Sequence, residues 1–152
     1  MGLFSTKSES TDTVFQATRE IAAAFERHEL KHSVNTVNGN SILDAGFSGK
    51  NISSFRMLFI SSDNDNDVAV RVFNIVPSVP EEKKSAMLKA INHCNNQFRY
   101  VKFTMQDDSS VSAQYDLPLR SDNVGEAAVE IAVRLLKIID DSYPEFMKAL
   151  WS

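Results

Sequence analysis

Apolar positions recur along this chain in two rhythms, and the change from one to the other marks the elements. Val14, Ile21 and Phe25, with Ala17 and Ala22 beside them, repeat at the spacing of a helix that buries one face. Thr13 and Gln16 have the spacing of a capping box, so the pattern predicts a helix from about Thr13 to Leu30. Ser33 to Val37 is polar and β-branched, and Asn38-Gly39 is a turn signal before Ile42-Leu43, which predicts two short strands. Phe55 to Ile60 and Val68 to Val76 read as a hairpin whose tip is Ser61 to Asp67.

The rhythm returns to helical after the prolines. Ser78, Pro80 and Glu81 predict a capped start, and Met87, Leu88, Ile91 and Cys94 form the expected buried face. Phe98 to Met105 and Val111 to Leu117 then alternate about the acidic turn Gln106 to Ser110. The third helix is expected from near Asp122 to Tyr143, with Glu126, Glu130, Arg134, Lys137 and Asp141 on one polar line and an apolar arc wider than packing on one sheet requires. That arc is either sunk in the core or shared with a second subunit. Ser142 and Glu145 flank Tyr143-Pro144 in another cap pattern, predicting a further short helix that ends in Phe146, Met147, Leu150 and Trp151.

The order is α-β-β-β-β-α-β-β-α, which predicts an α+β fold with helices packed on an antiparallel sheet. Residues 13–152 are expected to form one domain behind a Ser/Thr-rich leader, 1–12, that frays in solvent. The two hairpin–helix units echo each other in layout, each with a proline just after the return strand, without clear residue identity. Gly2 and Thr6 fit a loose myristoylation pattern, which matters only in a eukaryotic cell.

Composition narrows the classes. With 43% hydrophobic and 24% charged residues the chain is ordinary globular protein. Its net charge of −4 offers no basic excess for phosphate backbones or anionic lipid. No apolar run approaches the roughly 20 residues of a membrane span, and the start lacks the pattern of a signal peptide, so a cytoplasmic protein is expected. Cys94 is the single cysteine, which agrees with a reducing compartment, and its helical neighbours suggest a buried thiol.

Three stretches raise the question of chemistry. His28, Glu29 and His32 have the order and spacing of a zinc-protease helix, in which two histidines hold the metal and the glutamate activates its water. Against that reading, a third protein ligand is missing nearby, Arg27 and Lys31 place positive charge beside the site, and the strand signal at Val34 ends the helix near His32. Alternate aspartates at Asp63, Asp65 and Asp67 evoke a calcium loop, but Val68 stands where the loop needs glycine and Asn74 where it needs a bidentate glutamate. Five glycines leave little material for a phosphate cradle, and no nucleotide or hydrolase motif is present. No cofactor is expected.

From Asn95-Asn96-Gln97 through "FRYVKF" (98–103), "YDLPL" (115–119) and "DDSYPEF" (140–146), the chain resembles the YbjN family of bacterial proteins. That resemblance implies an α+β fold like the type III secretion chaperones, which commonly pair as homodimers, and a partner-binding or regulatory role. It supplies no catalytic residues. The expectation is a non-enzymatic, chaperone-like adaptor or regulator that binds a protein partner, with Phe146, Leu150 and Trp151 as candidate interface residues. A zinc hydrolase at His28, Glu29 and His32 and a small-ligand sensory domain are the alternatives.

Overall fold

A computed structural model describes residues 13–63, 67–119 and 123–152. The leader, the middle of the proposed calcium loop and the predicted helix start at Asp122 lie outside the described residues. Among the described residues, three helices and six strands follow the predicted order: α1 (Gln16–Arg27), β1 (Ser33–Val37), β2 (Asn40–Phe47), β3 (Phe55–Ser61), β4 (Asp67–Val76), α2 (Lys84–Gln97), β5 (Lys102–Met105), β6 (Val111–Pro118) and α3 (Val124–Trp151). The strands form one sheet in the order β1-β2-β3-β4-β6-β5, an α+β fold. Among the described residues, no helix is long and apolar enough to cross a membrane.

Two compact units divide the described chain, and neither is a continuous segment. One comprises residues 13–45, 58–70 and 116–130; the other comprises 46–57, 71–115 and 131–152.

In the first unit, β1 and β2 form the expected hairpin, with Val37 opposite Asn40. Asn38 (φ 50°) and Gly39 (φ 83°) both take the left-handed conformation that a two-residue hairpin turn demands. The α1 cap differs from the sequence expectation. The residue before the helix is Phe15, which makes no side-chain cap; its N–H donates to Ser41 Oγ at 3.2 Å. Ser41 also shares a buried 2.6 Å hydrogen bond with Thr18, so a β2 side chain holds the start of α1. Phe25 meets Phe59 edge-on at 5.5 Å, and both rings are buried. At Gly125 the first turn of α3 approaches α1 so closely that a Cβ would overlap the Glu20 carbonyl at 2.6 Å.

In the second unit, a 3-10 turn at Glu81–Lys83 precedes α2, and its start carries no side-chain cap, so the predicted Ser78–Glu81 box is absent. Val79 N–H instead donates to the Ser109 carbonyl at 2.9 Å. Met87, Ile91 and Cys94 are buried as expected, whereas Leu88 is 52% exposed. Lys102 pairs with Gln114 and Met105 with Val111. The free edge of β5 is closed by a side chain: the Asn95 amide accepts from Phe103 N–H at 2.8 Å and donates to its carbonyl at 3.0 Å. An amide that copies a neighbouring strand in this way blunts an edge that could otherwise recruit another chain.

The last helix departs most from expectation. In place of a break and a second short helix, α3 runs without interruption from Val124 to Trp151 with Pro144 inside it. Proline has no N–H for the carbonyl four residues back, which belongs to Asp140. Asn51 Nδ2 donates to that carbonyl at 3.0 Å. The Asp140 carboxylate in turn accepts from the backbone N–H groups of Lys50 (3.1 Å), Asn51 (2.7 Å) and Ile52 (3.0 Å). The wide apolar arc is largely consumed by the fold, since Ile131, Leu135, Ile138, Ile139 and Phe146 are all buried.

Candidate functional site

The zinc-protease spacing dissolves at the end of α1. The helix stops at Arg27, Glu29 takes φ of 55°, and Leu30 N–H closes on the Phe25 carbonyl at 2.8 Å while Glu29 N–H closes on Glu26 at 3.1 Å. This pair of bonds is a Schellman motif, and Glu29 is its left-handed residue. His28 and His32 therefore do not share a helical face. His28 Nε2 bonds Glu126 Oε1 at 2.8 Å, and Arg27 bonds the other oxygen of the same carboxylate, also at 2.8 Å. These two partners hold the Glu126 carboxyl below its ordinary range, the Arg27 hydrogen bond most strongly. His32 Nδ1 lies 2.8 Å from the Leu30 carbonyl, and its ring meets the edge of Phe25. Among the described residues, no group of three His, Cys, Asp or Glu side chains could hold a metal ion.

Cys94 is fully buried. Burial pushes its thiol pKa up and Glu145 adds to the rise, against a lowering from the Ser142 hydroxyl. A thiol kept protonated in this way is a poor nucleophile.

The expected interface residues separate by burial. Phe146 is 0% exposed and meets Phe103 edge-on with ring centroids 5.0 Å apart, so it is a core anchor of α3. Leu150 is half-buried, and Trp151 is 78% exposed. Both line an open groove of roughly 590 Å³. One wall is the end of α3, with Tyr143, Met147, Leu150 and Trp151 at helical spacing. The other is the end of β4 and the connection after it: Ile75, Val76, Pro77 and Pro80. Pro77 and Pro80 stiffen this connection, because each fixes its own φ. At the rim, Lys83 Nζ donates to the Ser152 backbone oxygen.

The walls of this groove are aliphatic and aromatic, and its charged rim residues, Glu82 and Lys83, are of opposite sign. The sequence pointed to the terminal Leu150 and Trp151; the opposing prolines read only as the end of a return strand (Pro77) and a helix start (Pro80). Their role follows only from β4 ending beside the last turns of α3.

Comparison with known families places this chain. Residues 18–147 match the model of YbjN, a family described as "Putative bacterial sensory transduction regulator", and the chain belongs to that family. No curated protein and no solved structure matches it.

Proposed function

We propose that this YbjN-family chain is a non-enzymatic regulator that works by holding a protein partner, seating an apolar side chain of that partner in the groove between the end of α3 and the Pro77–Pro80 connection. The observation that carries the reading is the exposure of Trp151 at 78% directly beside the half-buried Leu150 and Met147. An exposed tryptophan over a preformed apolar groove is the usual composition of an interface anchor. The regulatory description of the family supports a binding role. The adaptor is chaperone-like in that it recognises a short apolar segment and not a reacting group.

Site-specific photocrosslinking tests this. A crosslinking residue in place of Trp151 should give one discrete adduct in host cells, and the same residue at the exposed Lys89 of α2 should give none. A diffuse or identical pattern from both positions would sink the reading. Homodimerisation is a separate part of the proposal, expected from the resemblance to paired chaperones. Light scattering that finds a monomer at micromolar concentration would remove it and leave the groove untouched.

A further inference from the structure

The connection between α2 and β5 holds a bulky residue in an unfavourable backbone conformation. Tyr100 has φ of 73°, where glycine is at ease and an aromatic residue is strained. The residue is 44% exposed. The Arg134 guanidinium stacks over it, 4.8 Å from the ring centroid, and Tyr115 meets it at 65° with centroids 6.3 Å apart. The position is thus shaped around the side chain at the expense of the backbone. Strain of this kind gathers at binding sites.

Beside Tyr100 opens a cleft of roughly 310 Å³. Phe98 and Ile138 give it apolar lining, and Val133, 58% exposed, stands at its margin. Three cations converge there: Arg99 from the connection, and Arg134 and Lys137 one turn apart on α3. Asp141 is the carboxylate among the lining residues, and it bonds Lys137 Nζ at 3.1 Å. Among the residues that line the cleft, cations outnumber carboxylates over an apolar floor, on a chain of net charge −4.

We infer that this cleft binds a small phosphorylated ligand carrying a planar ring, of the size and chemistry of a nucleoside monophosphate. Guanidinium groups pair with phosphate oxygens in a two-pronged geometry, which suits the exposed Arg99 to the anionic end, with Lys137 as a point charge. The planar end sits on the apolar lining beside Tyr100. The volume lies at the small end of the ~300–1,000 Å³ range of ligand pockets, which fits one nucleotide. A polyanionic nucleic acid is disfavoured by the acidic remainder of the chain. The inference is independent of the partner groove, and either can fail alone.

The test is a ¹⁵N-HSQC titration of the full chain at low salt with adenosine monophosphate, adenosine and inorganic phosphate separately. The monophosphate should shift the amides of residues 98–100 and 133–141 at millimolar concentration or below, and bind at least about tenfold tighter than adenosine or phosphate alone. Arg99→Glu and Lys137→Glu, both at exposed positions, should each weaken it by about tenfold or more. Tyr100→Gly, which relieves the backbone, should melt no lower than the wild type and still lose binding. Absence of shifts at these amides, binding unchanged in the variants, or equal binding of adenosine would overturn the inference. Equal binding of inorganic phosphate would reduce the cleft to an adventitious ion site only and overturn it as well.

Discussion

Asn51 and Asp140 are bound to each other twice: the Asn51 backbone N–H donates to the Asp140 carboxylate at 2.7 Å, and its side-chain amide donates to the Asp140 carbonyl at 3.0 Å. The second bond fills the vacancy that Pro144 creates one turn later, and so lets α3 continue through a proline to the groove-forming residues Met147, Leu150 and Trp151. Asn51→Ala should therefore destabilise the protein by about 1 kcal/mol in urea unfolding. In a Pro144→Ala background, where residue 144 offers its own N–H, the same change should cost measurably less. Equal costs in both backgrounds would refute the compensation.

The loop carrying Asn51 can approach Asp140 because residue 49 has no side chain. A Cβ on Gly49 would overlap the Asp140 carboxylate itself. Gly49→Ala should lower stability by about 2–4 kcal/mol, read as a lower urea midpoint at unchanged slope. Gly39→Ala, which meets nothing within 4 Å, should act only through its positive φ, by about 1 kcal/mol.

The Asp140 carboxyl is held below its ordinary range by the Ile52 and Asn51 N–H groups, with a smaller contribution from Lys50. A group whose pKa is depressed on folding contributes stability that is fully present above its unfolded value and is lost as pH falls through the folded one. The stability gap between wild type and Asp140→Asn should thus be constant at neutral pH and narrow below about pH 4. A gap that does not change with pH in acid-unfolding curves would show that the carboxylate charge is irrelevant.

Glu29 is a helix-ending residue in a conformation glycine prefers, with φ of 55°. Glu29→Gly should raise stability by about 1 kcal/mol in thermal or urea unfolding. A loss of stability would show that the Glu29 side chain holds the α1 end in place.

Phe146 and Trp151 lie five residues apart on α3 and should behave oppositely. Phe146→Ala removes a fully buried ring from against Phe103 and should destabilise by about 3–5 kcal/mol. Trp151→Ala, at an exposed site, should stay within about 0.5 kcal/mol of wild type.

The elements whose signals are local were legible in the sequence. Asn38-Gly39 set the first hairpin, the acidic turn Gln106 to Ser110 set the last, and the spacing of Met87, Ile91 and Cys94 set the α2 face. What could not be read was decided by distant chain. Pro144 read as a helix break because its remedy comes from Asn51, 89 residues along the chain from Asp140. The helix α1 begins after Phe15 and not at Thr13, and its start is held by Ser41 of β2, 26 residues from Phe15. The histidine spacing was real as a pattern, but α1 ends at Arg27 and the chain takes a left-handed φ at Glu29 before reaching His32. Of the candidate site, the terminal aromatic was legible, while its separation from Phe146 required knowing which side of α3 faced Phe103.

The most direct test of the groove reading compares the proteins captured from the host by the wild type, Trp151→Ala and Leu150→Asp, quantified by mass spectrometry. The account predicts a partner held near stoichiometrically by the wild type and depleted about tenfold or more from both variants, each still folded by circular dichroism. Capture of the same partner in equal amount by all three would contradict it.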